Sequence, residues 1–210
     1  MSGDNRQKVI VVGPALTLSG YGEQCRFALR SLRTQEDQYD IYLHSTNWGQ
    51  TGWIHEDDEE REWIDRTLHK TVMYNQAQGQ YDMSLQVTIP NEWKKIAPIN
   101  VGYTAGIETT QVAPQWIEKS REMDRIIVVS NHSKEVYENT SYGMMNPQTK
   151  ERTGTLKCET PITTVNYPVK DFSDSDPADL GLDLGTDFNL LCVAQWGPRK
   201  NVHNTGEWFV

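Results

Sequence analysis

The 210-residue chain carries 20 Lys and Arg against 29 Asp and Glu, a formal net charge of −9, and 37% hydrophobic residues with seven Trp and nine Tyr. That supplies apolar material for a sizeable core, and the acidic balance without a basic tract argues against nucleic acid as a partner. No apolar run reaches membrane-spanning length and no signal peptide precedes the first strand; three isolated cysteines, Cys25, Cys158 and Cys192, fit a reducing cytoplasm and show no metal-ligand spacing.

In chain order, Val9 to Val12 is an unbroken β-branched run that predicts a strand buried on both faces of a parallel sheet. Gly13, Gly20 and Gly22 punctuate the polar loop that follows, and Cys25, Ala28, Leu29 and Leu32 then form one apolar helical stripe. Strand, glycine loop and helix make the opening unit of a doubly wound α/β domain, although the spacing is not the G-x-G-x-x-G dinucleotide fingerprint. Tyr39 to His44 predicts a second strand, which runs into the polar loop Ser45-Thr46-Asn47-Trp48-Gly49 at the strand end where such sheets bind ligands. The acidic run Glu56 to Glu62 opens a long helix ending near Gln78 and reads as its solvated first turn.

Met83 to Ile89, Ile99 to Thr104 and Arg125 to Val129 predict three further strands. Pro114 starts a helix in its favoured first position, and Ser130-Asn131-His132-Ser133 supplies capping residues for another. Residues 143–160 predict a loop or small hairpin, and Ile162 to Asn166 a short strand. Asp171 to Asp187 reads as an acidic inter-domain linker, Phe188 to Val193 as a fresh buried strand, and a helix begins at Val202. The expected organisation is an α/β domain with a mostly parallel, doubly wound Rossmann-like sheet over residues 1–170. A linker over 171–187 and the first elements of a second such domain over 188–210 complete it.

Four blocks together resemble the GT-B-type retaining glycosyltransferases that use nucleotide sugars, the large family with sucrose, trehalose and lipopolysaccharide mannosyl- and glucosyltransferases. They are VVGPALTLSGYGEQCRFALRSL, NVGYTAGIETTQVAPQWIEKSREMDRIIVVSNHSKEVY, TTVNYPVKDF and LLCVAQWGPRKN, in the family's order across nearly the whole chain. The resemblance implies transfer of a sugar from a nucleotide sugar to the hydroxyl of a carbohydrate or other acceptor, with retention and without a metal or resident cofactor. It implies peripheral membrane association where that acceptor is a lipid. The N-terminal domain of such enzymes forms the acceptor side of the cleft. The second domain holds the donor and a paired-glutamate motif that these 210 residues do not contain, so the chain alone is expected to be inactive.

Residue by residue, the resemblance assigns Lys200, with Arg199 beside it, to the donor diphosphate; the family's arginine sits where this chain has the uncharged Gln195. It assigns Gly20 and Gly22 to the loop whose backbone approaches donor phosphate or acceptor. Glu108 and Thr109 match a Glu-Thr pair at the cleft edge, where Glu108 would orient the acceptor. Tyr21, Trp48 and His132 complete the acceptor side, although an aromatic such as Trp48 can equally serve a core, His132 a helix cap and His44 a structural role. A reading from another class is a non-catalytic α/β module that binds carbohydrate or nucleotide. A two-domain nucleotide-sugar epimerase shares the architecture.

Overall fold

The computed structural model describes residues 5–169, 181–194 and 196–208, Arg199 by its backbone alone. The chain divides into two compact units, Met1–Val169 and Lys170–Val210.

The first unit is built on strands β1 (Gln7–Gly13), β2 (Tyr39–Ser45), β3 (Met83–Val87), β4 (Ile99–Tyr103), β5 (Arg125–Val128) and β8 (Ile162–Thr164), with a separate hairpin of β6 (Ser141–Met145) and β7 (Arg152–Lys157). Its helices are α1 (Gly20–Arg33), α2 (Glu59–Gln76), α3 (Pro114–Ser120) and α4 (Asn131–Asn139), and a 3-10 turn spans Pro90–Glu92. The six-stranded sheet has the order β2-β1-β3-β4-β5-β8, and every pair in it is parallel. This is a Rossmann-like α/β topology in which the chain winds leftwards from β1 and then rightwards from β3. The switch between the two directions lies between β1 and β3.

The register divides the sheet into two faces, because residues paired across parallel strands share a face and alternate along them. On the first face Val11 lies between Leu43 and Leu85, and this row packs with Cys25, Ala28 and Leu29 of α1. On the second face the row runs His44, Val12, Gln86, Gly102, Ile126, Ile162. Over β4, β5 and β8 this face is covered by Trp93, Ile117 of α3, Val136 and Tyr137 of α4, and Leu156 of β7. Gly102 is required there: a Cβ would stand 2.5 Å from the Trp93 ring. Over β1 and β3 the same face carries the polar Ser84 and Gln86.

Helix α2 runs along the β2 edge. Its Ile64 joins the first-face core, its Tyr74 meets Tyr42 on the second face at 4.5 Å between ring centres, and between them Thr71 Oγ1 accepts the Leu43 N–H at 2.9 Å. Asp58 caps its start by accepting the Arg61 N–H, so the acidic run is an exposed first turn as its charge pattern implies.

Two expectations change. Helix α1 starts at Gly20, not after the glycines, because Ser19 caps it by accepting the Gly22 N–H at 2.9 Å. Gly20 and Gly22 therefore sit in its first turn. Residues 141–157 form the β6–β7 hairpin, the second of the two forms expected over 143–160. In the second unit, Phe188 to Val193 forms no strand and is exposed, with Leu191 89% and Val193 85% accessible. A strand needs a ladder partner for its N–H and C=O groups, and no strand is found among the described residues of this unit. The short helix Val202–Glu207 does form, after a 3-10 turn at Pro198–Lys200. Most of the linker expected over 171–187 lies outside the described residues. No described helix is long and apolar enough to cross a membrane.

Candidate functional site

Ligands of open parallel sheets sit beyond the carboxyl ends of the strands at the switch point, here the exits of β1, β2 and β3. The loop that leaves β1 is held in place by one buried side chain. The Arg26 guanidinium, only 6% exposed, donates from Nη1 to the carbonyls of Ala15 at 2.7 Å and Thr17 at 3.0 Å. Its Nε and Nη2 donate to Glu23 Oε2 at 3.0 and 2.8 Å, and Arg30 takes Glu23 Oε1 at 2.9 Å. Burial would raise the Glu23 pKa, but the bonds to Arg26 and Arg30 outweigh it and hold the carboxyl below its ordinary value. The loop is further pinned to residues 52–54, where Leu18 N–H donates to Gly52 O and Ile54 N–H to Leu16 O. With its carbonyls engaged inward, this loop is pre-formed.

The two glycines differ. A Cβ on Gly22 would lie 2.1 Å from Thr17 O, so Gly22 lets the helix start press against its own loop; a Cβ on Gly20 would meet nothing within 4 Å. Between them Tyr21 stacks on Trp48 with ring centres 4.3 Å apart and reaches across to the exit of β4. There its hydroxyl lies 2.9 Å from Thr104 Oγ1 and accepts the Ala105 N–H at 3.1 Å. Burial raises the Tyr21 pKa against these two bonds, so the phenol is a neutral strut.

The loop after β4 is tied down by α4. Ser133 Oγ accepts the Ile107 N–H, and Thr140 Oγ1 accepts that of Val112. Ser130 caps α4 by accepting the Ser133 N–H, as its place in the sequence predicts. Glu108 and Thr109 sit on the exposed outer part of this loop, where Thr109 Oγ1 donates to Gln111 O. His132 is exposed on the first turn of α4. The structure thus gathers Gly20, Gly22, Tyr21 and Trp48 into one cluster; Thr104 and Ala105, which the sequence did not single out, join them. Lys200 belongs to the second unit and is exposed; Gln195 and the Arg199 side chain lie outside the described residues.

On the second sheet face the exits of β1, β2 and β3 open into a cavity of about 730 Å³, within the usual range for a small-molecule site. Ile10 and Val12 form its apolar floor, His44, Thr46 and Asn47 bound it at the end of β2, and Thr88, Asn91 and Glu92 at the end of β3. The wall from Lys94 to Ile96 is fixed from below. Gln86 Nε2 donates to Lys94 O at 2.6 Å and its Oε1 accepts the Lys94 N–H at 3.0 Å, while Asn100 Oδ1 accepts the N–H groups of Ile96 and Ala97. The opposite wall includes Tyr81, whose hydroxyl donates to Asn75 Oδ1 at 2.6 Å.

Two threonines here are unusual. Thr88 is 2% exposed as a residue, and its hydroxyl has no hydrogen bond among the described residues and is not itself a fully buried atom. Thr46 Oγ1 is buried without a partner. A buried hydroxyl left unmatched costs about 1–3 kcal/mol, so natural folds place one mainly where something else completes it. Among the described residues no three His, Cys, Asp or Glu side chains gather into a metal-binding set. The polar loop 45–49 was legible in the sequence as a ligand edge. The signal for the facing wall was weaker: Pro90-Asn91-Glu92 directly after a strand, and the polar Ser84 and Gln86 in alternation within it.

Fold and edge together define a class, a Rossmann-like α/β domain with a pre-formed, ligand-sized cavity at its switch point. No protein-family model, curated protein or solved structure matches the chain.

Proposed function

We propose that this chain is the acceptor-side part of a retaining glycosyltransferase that takes its sugar from a nucleotide sugar. The observation that carries the reading is the cavity at the carboxyl ends of β1 to β3, walled by hydroxyl and amide side chains beside the rigid loop Pro14 to Ser19. The four sequence blocks supply the direction of the chemistry. In this reading an acceptor hydroxyl is presented from the first unit, and Glu108 and Thr109 on the outer part of the β4 loop help to orient it. Lys200 and Arg199 offset the charge that builds on the departing diphosphate, with further donor-binding groups in a second domain. Gly20, with open space where a side chain would be, leaves room for the reacting groups to approach.

The test follows nucleoside diphosphate release and product anomeric configuration, with UDP- and GDP-hexoses and a panel of saccharide acceptors. The 210-residue chain is expected to bind acceptor and release no nucleoside diphosphate. Extended by a donor-binding domain, it is expected to transfer with retention, and Lys200→Ala to slow that transfer at least tenfold. Inverted product, or transfer indifferent to Lys200→Ala, would overturn the proposal. A second reading, a non-catalytic carbohydrate-binding module, is favoured by one observation: every residue lining the cavity, from Ile10 to Ile96, belongs to the first unit. Saccharide binding with no turnover in any extended form would select it.

A further inference from the structure

We propose that the cavity on the second sheet face is a binding site for a neutral saccharide, which deepens the reading above by naming its acceptor class and rests on that reading for the word acceptor alone. The argument begins with hydrogen-bonding character. A sugar hydroxyl both donates and accepts, and the best partners are side chains that do the same. Thr88 offers a hydroxyl, and Asn47 and Asn91 offer amides, all lining the hollow and none with a side-chain hydrogen bond among the described residues. Such groups clustered around one hollow match a ligand whose polar atoms are hydroxyls.

Shape agrees. Ile10 and Val12 present an apolar floor, suited to the C–H face of a sugar ring, while the polar groups stand at the strand ends around it. The floor is part of the parallel sheet and the Lys94 to Ile96 wall is held by Gln86 and Asn100, so the hollow exists without a ligand and little ordering cost attaches to binding.

Charge excludes the main competitors. Among the described residues no arginine lines the cavity; Lys94 is the single Lys or Arg in its lining, and the Glu92 carboxylate in the same lining would repel a phosphate. A nucleotide diphosphate or sugar phosphate finds no cradle here. A lipid tail seated here would cover the Thr88 hydroxyl and leave it unmatched.

The experiment titrates the isotope-labelled 210-residue chain with methyl α-mannoside, maltose and cellobiose, and in parallel with glucose 1-phosphate, UDP and dodecyl maltoside micelles. At least one neutral saccharide is expected to shift the backbone signals of Thr46, Asn47, Thr88 and Asn91. Thr88→Val, which keeps the shape and removes the hydroxyl, is expected to weaken it about tenfold, the loss of one hydrogen bond in a desolvated site. Asn91→Ala at the rim is the second variant, used where circular dichroism finds Thr88→Val misfolded. Absence of saccharide shifts at these residues, equal binding by both variants, or displacement of the sugar by UDP or glucose 1-phosphate would overturn the assignment. Tight binding of the micelle alone would do the same. The two proposals fail separately. Transfer to an acceptor that ignores both variants leaves the enzyme standing and removes this pocket from it; variant-sensitive saccharide binding without transfer leaves the pocket and removes the enzyme.

Discussion

The Tyr21 hydroxyl lies 2.9 Å from Thr104 Oγ1 and joins the first turn of α1 to the exit of β4, 83 residues further along the chain. It also accepts the Ala105 N–H. Tyr21→Phe keeps the stack on Trp48 and removes both bonds, leaving the wholly buried Thr104 hydroxyl and the Ala105 amide without that partner. A loss of about 1–3 kcal/mol is expected. Faster hydrogen exchange at Ala105, in step with a lower urea midpoint, is the measurement. Unchanged exchange at Ala105 would show that the loop is held elsewhere.

Gly20 and Gly22 are expected to respond oppositely to the same change. Neither has a positive φ, so alanine fits the backbone at both. Gly22→Ala drives a methyl against Thr17 O and should cost about 1–3 kcal/mol, as overpacking does. Gly20→Ala meets nothing and should be neutral or stabilise by about 0.4–1 kcal/mol through the unfolded chain. Paired denaturation curves decide it, and equal effects at the two positions would contradict the packing described.

Arg26 is the side chain on which the β1 exit depends. Arg26→Leu leaves the Ala15 and Thr17 carbonyls without their donor and takes away one of the two cations that hold Glu23. At least about 2 kcal/mol of stability should be lost, because the bonds removed are charged and buried. Arg26→Lys restores charge but not the fork and should recover only part of it. Full recovery by lysine would mean that charge alone matters at this position.

Stability should fall in acid for a stated reason. The Asp40 carboxyl, like that of Glu23, is held below its ordinary value: burial raises it, and the bonds from Tyr42 and Lys70 outweigh that. A depressed folded pKa gives a contribution fully present above the unfolded values, 4.5 for Glu and 3.8 for Asp, that is lost as pH drops through the lower folded ones. Urea midpoints measured from neutrality down through the carboxylate range should decline most at the acid end. The Glu23→Gln, Asp40→Asn double variant should show a flatter profile, and an equally steep one would assign acid sensitivity to other groups.

Strand identity was readable because buried parallel strands are written in β-branched and alternating runs. Val9 to Val12 and Arg125 to Val128 obey that pattern within a residue or two. The start of α1 was misplaced because glycine has poor helix propensity, whereas Ser19 supplies a cap that outweighs it. Phe188 to Val193 reads as a strand by composition, yet composition cannot provide a pairing partner. At the site, the Ser45 to Gly49 edge could be inferred from its place after a strand. Arg26 could not, since its carbonyl partners lie nine and eleven residues upstream in a loop whose path only the fold defines. Thr88 was likewise hidden: its isolation is a fact about what surrounds it.

The hydrogen bond from Leu43 N–H to Thr71 Oγ1 bears on how this sheet meets other chains. An outer strand with open N–H and C=O groups is a template on which a foreign strand can grow. Helix α2 lies along β2 and occupies that donor at its middle, which removes one of the two margins from such templating. The other margin is β8, only three residues long and too brief to nucleate a stable ladder. A sheet of six parallel strands is thereby bounded against self-assembly at both sides, by a helix at one and by shortness at the other. Thr71→Val, which unmasks a single amide, is the smallest change that would reopen it.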